Sequence, residues 1–94
     1  MTFKELKDQP LEFQYQLLGR LKSDCMYFLG NGLKEPKYLW GKDAEEHIAL
    51  MFALYYHLNE KPSWLDDHII RQFSENMNVD LKQARHQAEL LMAA

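Results

Sequence analysis

The sequence contains a single cysteine, Cys25, and therefore cannot form an internal disulfide or a zinc site built from several thiolates. It contains no run of about 18 apolar residues, the length that a membrane-spanning helix needs, and its first residues form no hydrophobic signal core. These absences exclude disulfide-stapled, zinc-finger and membrane-spanning folds. We therefore expect a cytoplasmic protein that folds around an ordinary hydrophobic core.

The histidines lack the spacing of a metal site. They stand at His47, His57, His68 and His86, and no two are four residues apart, so no helix face would carry two imidazoles. We expect them at helix ends and on the surface, with His57 near a helix C-terminus, where a cation complements the helix dipole. The sequence thus predicts no metal site and no histidine-based catalysis.

Three other short features resemble sites without meeting their chemistry. Asp66 and Asp67 precede His68, but adjacent helical residues point about 100° apart and cannot chelate one ion together. The segment 29–32 contains two glycines but lacks the strand-to-helix context and the lysine of a phosphate-binding loop. Cys25 lies on an apolar helical stripe and is predicted to be a small buried hydrophobe rather than a nucleophile. We expect no enzymatic activity, no cofactor and no metal.

The chain has 94 residues, of which 47% are hydrophobic, and this is enough for one core and one domain over residues 1–94. Its net charge is −3, unevenly divided. Residues 1–42 carry seven basic and five acidic side chains (+2), and residues 43–94 carry four and nine (−5). This division indicates either solvated helix faces or a basic and an acidic edge that make separate contacts.

Hydrophobic periodicity predicts a compact all-α bundle of about four helices, with no strand and one irregular loop at about 30–42. The predicted helices span about 10–28, 43–59, 64–77 and 79–94, and their start signals are Asp8 or Gln9, Asp43 with Glu46, Ser63 with Asp66, and Asp80 with Gln83. The first helix is predicted to end in a left-handed cap at 30–32. Leu18 and Phe52 are expected in the core, between the first two helices.

The irregular loop is the candidate binding surface, because it combines lysines and large aromatic rings in a segment without helical period. The candidate binding residues are Asn31, Lys34, Lys37, Tyr38, Trp40 and Lys42. Two alternatives compete with a protein interface. Basic and aromatic residues also suit single-stranded nucleic acid, and residues 38–40 could instead close the core while the lysines are merely solvated.

Four segments carry a resemblance to a known family: Leu17–Cys25, Tyr27–Gly32, Leu39–Trp40 and Glu60–Leu65. Together they resemble large polyvalent protein-associated domain 11, a module of phage, plasmid and conjugative-element proteins. The similar stretch covers about residues 11–77. Leu33 and Met26 stand where the family usually has asparagine and an acidic residue.

The resemblance implies a mobile-element protein with no assigned catalytic residues. For a chain of this size it favours a stoichiometric binder acting in the cytoplasm of a bacterial host cell. We expect an inhibitor of a bacterial defence complex, such as an anti-CRISPR protein, whose partner is a host or element protein. The alternatives are a DNA- or RNA-binding accessory protein of the element and, third, a small hydrolase.

Overall fold

Five α-helices follow one another in the structure, a computed structural model that describes residues 2–31 and 34–93. They are α1 (Phe3–Lys7), α2 (Leu11–Leu29), α3 (Ala44–His57), α4 (Asp67–Asn76) and α5 (Leu81–Ala93). Two single 3-10 turns, Pro36–Tyr38 and Trp40–Lys42, lie between α2 and α3. The described residues contain no strand, and the all-α prediction is confirmed.

Helix α3 forms the centre of the protein. All nine residues from His47 to Tyr55 are buried, so this helix is covered on every side, as its nearly unbroken apolar sequence requires. The other four helices all pack against it, and α5 does so most extensively. The expectation that the first two predicted helices form the core pair is therefore corrected. Ala84 and Ala88, both buried, are small enough to let α5 approach α3 closely.

The sequence period of α2 predicts a buried stripe from Leu11 to Phe28, and the structure buries it from Leu18 onward, whereas Leu11 is 62% exposed. The buried residues of α2 are Gln14, Leu18, Leu21, Cys25 and Phe28. Leu18 on α2 and Phe52 on α3 are both 0% exposed, so their assignment to the core is confirmed. The core thus lies around α3, with α2 as one of its walls.

The N-terminal helix α1 is absent from the sequence-based prediction. Thr2 Oγ1 accepts a hydrogen bond from the Glu5 backbone N–H at 3.2 Å and donates one to the Glu5 carboxylate at 3.1 Å. Thr2 is thus the N-cap of α1, with the Glu5 carboxylate bonded to its hydroxyl instead of its backbone N–H, and the Thr-x-x-Glu pattern of a capping box was a readable start signal for a helix. Because α1 has only five residues, it shows no hydrophobic period. The predicted cap at Asp8 or Gln9 is wrong, since α2 begins at Leu11, after Pro10.

The predicted left-handed end of α2 is wrong at Gly30, where φ is −105°. Instead, the Gly30 N–H donates to the carbonyl oxygens of Met26 and Tyr27, at 3.0 and 3.2 Å. The chain adopts a positive φ of 59° at Lys34, whose N–H donates to the Phe28 carbonyl at 3.0 Å. Gly32, which shared in the predicted cap, lies outside the described residues.

Three aspartates cap the later helices, Asp43 and Asp80 at the predicted starts. The predicted helix start at Ser63 is wrong, because Ser63 and Trp64 form a turn and α4 begins at Asp67, after Leu65. The Asp43 carboxylate accepts from the Glu45 N–H at 3.1 Å, and the Asp66 carboxylate accepts from the Ile69 N–H at 2.8 Å. Asp80 accepts from the Gln83 N–H at 3.2 Å. Each bond satisfies a backbone donor that the first helical turn leaves free. These local signals set where α3, α4 and α5 begin.

A polar cluster around Asp67 ties α4 to its neighbours. The Asp67 carboxylate forms ion pairs with Arg71 on α4 and Arg85 on α5, each at 3.1 Å, and accepts a hydrogen bond from the Tyr56 hydroxyl on α3. Burial and the nearby Asp67 carboxylate raise the pKa of Tyr56 above its ordinary value. Asp67 therefore joins α3, α4 and α5 through its carboxylate.

Candidate functional site

The segment between α2 and α3 is anchored to the core by Leu39 and Trp40. Leu39 is 5% exposed, and Trp40 is half-buried and packs against the core cluster. The Trp40 backbone N–H donates a hydrogen bond of 2.9 Å to Nδ1 of His47 on α3. Leu39 and Trp40 thus close the core. The alternative in which residues 38–40 close the core is therefore correct for these two residues and not for Tyr38, which is exposed.

His47 holds this segment and α2 together from inside the protein. It is 0% exposed, and its Nε2 lies 2.9 Å from the carbonyl oxygen of Leu21 on α2. Because Nδ1 accepts the Trp40 N–H, the ring proton lies on Nε2 and is donated to Leu21. Burial lowers the pKa of His47, against the opposing effects of the Leu21 hydrogen bond and the Asp24 charge. The expectation that the histidines lie on the surface is wrong for His47.

Tyr38 points away from the core and meets a second tyrosine. The rings of Tyr38 and Tyr27 on α2 pack edge to face, with centroids 5.0 Å apart and planes at 89°. Each tyrosine is 43% exposed, and Lys37 Nζ lies 5.2 Å from the centre of the Tyr38 ring. We call Tyr27, Lys37 and Tyr38 the tyrosine surface. It presents two rings and one cation to solvent from a backbone fixed on the core.

The predicted binding residues divide into two groups. Five of the six are exposed, namely Asn31, Lys34, Lys37, Tyr38 and Lys42, whereas Trp40 is half-buried. The structure brings Lys37 and Tyr38 together, and no contact found within residues 2–31 and 34–93 joins Asn31 or Lys42 to them. Tyr27 was missed as a site residue. The feature that could have identified Tyr27 is its position near the end of the first predicted helix, shortly before the loop.

A small cleft lies between the tyrosine surface and α2. It has a volume of about 260 Å³, and its lining includes Arg20 and Asp24 from α2 and Tyr38 from the 3-10 turn. Trp40 forms part of its wall. The cleft places both a cation and an anion beside the exposed Tyr38 ring, and so offers paired polar contacts to a bound protein.

The first and last segments of the family resemblance meet in a second lysine–aromatic pair. Lys22 Nζ donates to the Trp64 carbonyl oxygen at 2.8 Å and lies 5.7 Å from the centre of the Trp64 ring. A Cβ placed on Gly19 would lie 3.7 Å from the Trp64 ring, an ordinary van der Waals contact, so the indole packs close to the α2 backbone here and leaves room for an alanine. Lys22 and Trp64 therefore join α2 to the segment before α4.

The family model of large polyvalent protein-associated domain 11 matches residues 11–77, well over half of the chain. The chain belongs to this family. It is therefore a domain associated with large polyvalent proteins, which are proteins of mobile elements. The matched residues extend from α2 through α4, whereas α1 and α5 lie outside the match. Comparison with curated proteins and with solved structures gave no match.

Cys25 is buried, as predicted, and its thiol is unsuited to nucleophilic attack. Burial, together with the charge of Asp24, raises the pKa of Cys25 to about 12, so the thiolate is not populated near neutral pH. Its Sγ lies 3.5 Å from Met51 Sδ, inside the core. Within the described part of the chain, no group of three or more potential ligands is placed to hold a metal ion. No described helix is long and apolar enough to cross a membrane.

Proposed function

We propose that this chain is a non-enzymatic binding protein of a mobile element, which inhibits a bacterial defence complex by stoichiometric contact through the tyrosine surface. The observation that supports it is the pair of half-exposed tyrosine rings, Tyr27 and Tyr38, held edge to face beside Lys37. Tyrosine and other large aromatic residues dominate the binding energy of protein interfaces.

The anchoring of the segment favours tight binding. The chain next to Tyr38 is already ordered by buried Leu39 and by the hydrogen bond from Trp40 to His47. A partner therefore does not have to order this loop, and the conformational entropy lost on association is small. An aromatic pair fixed in advance is what a stoichiometric inhibitor requires.

Two exposed lysines indicate the charge of the partner. Lys34 and Lys37 lie on the basic part of the chain, residues 1–42, which carries +2. Lysines at an interface steer an acidic partner surface toward the site and raise the association rate. Membership of the family supports a bacterial defence complex as the partner, since proteins of mobile elements act in cells whose defence complexes attack such elements.

The first prediction concerns charge reversal at Lys37 of the tyrosine surface and at the exposed Lys34, three residues before it. The double variant Lys34→Glu, Lys37→Glu should keep the wild-type melting temperature, because exposed substitutions usually change stability by no more than about 0.5 kcal/mol each. It should bind its partner more slowly and lose inhibition. The assay is phage plating efficiency on bacteria with an active defence system, alongside capture of the defence complex by the immobilised protein.

The control is Lys4→Glu, Lys82→Glu, which reverses two exposed lysines elsewhere and changes the net charge equally. This variant should inhibit like wild type. If neither the wild-type chain nor the control alters plating efficiency on any defence-proficient host tested, the proposed inhibition is wrong.

Nucleic-acid binding is the second candidate, favoured by Lys37 beside the exposed Tyr38 ring, since bases stack on such rings and phosphates bind such cations. The same variants distinguish the two functions. Binding of a single-stranded oligonucleotide that falls steeply between low and high salt, and that the Lys34, Lys37 double variant abolishes, would support this candidate and contradict the protein interface.

A further inference from the structure

An apolar groove lies on α3 between the N-terminal and C-terminal helices. Its floor is Ala49 and Leu50 of α3, and its volume is about 460 Å³. Helix α1 contributes Phe3 and Leu6 to one wall, and α5 contributes Leu90 and Leu91 to the other. Leu90 is 58% exposed, which is high for a leucine beside an apolar cavity.

One carboxylate lies among these apolar side chains. Glu46, at the start of α3, is the only charged residue in the described chain that lines the groove, and the Trp40 ring lies in the same lining. A Cβ on Gly41 would collide with the Glu46 carboxylate, so the glycine, at φ 64°, provides the space that the carboxylate occupies. Both ion pairs found among residues 2–31 and 34–93 are at Asp67, and none involves Glu46.

We propose that this groove binds an amphipathic helix of a partner protein, whose apolar side chains contact Leu50 and Leu90 and whose arginine or lysine pairs with Glu46 beside Trp40. A helix is the expected occupant because the groove runs between two helices over a third, and helices pack into such grooves through side chains spaced three and four residues apart. A basic residue is expected because it can meet both a carboxylate and an aromatic ring at one end of the groove.

Charge supports a basic rather than an acidic occupant. The net charge of residues 43–94 is −5. These residues supply the floor of the groove, Glu46 and the α5 wall. Glu45 lies next to Glu46 in the first turn of α3 and accepts a hydrogen bond from Gln87, another lining residue. An acidic helix would be repelled by this end of the groove.

The groove is separate from the tyrosine surface and from the residues that match the family. Its two walls come from α1 and α5, which lie outside the matched residues 11–77. Its floor, Glu46 and Trp40 lie within the matched residues. The variants below leave Tyr27, Lys37 and Tyr38 unchanged. A negative result here would therefore leave the proposed inhibition through the tyrosine surface intact.

The test uses a synthetic amphipathic peptide of about 14 residues with a leucine stripe and arginine flanks, and a second peptide with glutamate in place of arginine. Binding is followed by amide chemical shifts of the protein. The arginine peptide should bind saturably and shift Ala49, Leu50 and Leu91, and the glutamate peptide should bind about tenfold more weakly. Leu90→Gln should weaken the arginine peptide about tenfold, and Glu46→Gln about fivefold.

Matched controls are available on other faces. Leu11 is 62% exposed, so Leu11→Gln removes a comparable apolar surface, and Glu75→Gln removes an exposed carboxylate on α4. Both should bind the arginine peptide like wild type. Equal binding of both peptides, shifts confined to the tyrosine surface, or no saturable binding by folded protein would each overturn the proposal. Concentration-dependent self-association that Leu90→Gln abolishes would instead assign the groove to a second copy of the chain.

Discussion

At the residue scale, His47 contributes most to the geometry of the candidate site. It accepts a hydrogen bond from the Trp40 N–H and donates one to the Leu21 carbonyl, and thereby joins α2, α3 and the second 3-10 turn. The bond from Trp40 requires the neutral ring, because protonation would place an N–H on Nδ1 against the Trp40 donor, whereas the bond to Leu21 persists in either state. The position of Trp40 therefore depends on the protonation state of a fully buried imidazole.

The resulting prediction is a loss of stability in acid. The pKa of His47 is lowered in the folded state, so the unfolded chain binds the proton more readily. Above the ordinary value of 6.5, both states are neutral and the contribution to stability is complete. As the pH falls below 6.5 toward the folded-state pKa, the free energy of unfolding should fall by up to about 1.4 kcal/mol per pH unit from this group. Denaturant melts across this pH range measure it.

The control for this prediction is an exposed histidine. His86→Gln should retain the acid-dependent loss of stability, since His86 lies on the outer face of α5. Trp40 fluorescence gives a second readout, measured in a Trp64→Phe variant because the chain has two tryptophans. If the imidazole of His47 becomes protonated in the folded state near pH 6.5, as seen in its ring chemical shifts, the assigned hydrogen bonds are wrong.

At the scale of single helices, α2 offers a matched pair of leucines. Leu18 is 0% exposed and Leu11 is 62% exposed, so the same substitution tests a core and a surface position in one helix. Leu18→Ala should lower the free energy of unfolding by about 2–5 kcal/mol, because it loses buried apolar surface and leaves a cavity. Leu11→Ala should change it by less than about 0.5 kcal/mol. Phe52→Ala, in α3, should resemble Leu18→Ala or exceed it. Equal melting temperatures for Leu18→Ala and Leu11→Ala would contradict the orientation of α2.

At the scale of the whole molecule, stability should decrease from the centre outward. Helix α3 is surrounded by the other four, whereas α1 has five residues, of which only Phe3 and Leu6 are buried. Amide hydrogen exchange should therefore be slowest between Ile48 and Leu54, at the rate of global unfolding, and fastest in α1. Exchange in α1 as slow as in α3 would mean that the N-terminal wall of the groove is a full part of the core.

Local sequence patterns determined much of this fold. The apolar residues of α2 recur with the period of an α-helix. The carboxylates of Asp43, Asp66 and Asp80 accept hydrogen bonds from backbone N–H groups no more than three residues away. Such signals depend only on neighbours along the chain, and they predicted the all-α class and the starts of α3 and α5, whereas α4 begins at Asp67, later than predicted. The motif residues within 11–77 likewise indicated the family by themselves, because a motif is a property of residue order.

The tertiary structure alone decided which face of each irregular or apolar segment is buried. The 3-10 turns have no hydrophobic period, so only their packing on α2 and α3 shows that Leu39 and Trp40 turn inward and Tyr38 outward. The burial of His47, the pairing of Tyr27 with Tyr38 and the docking of α5 on α3 join residues distant in sequence. Such contacts depend on the shapes and volumes of several helices at once, and a local pattern carries no information about them.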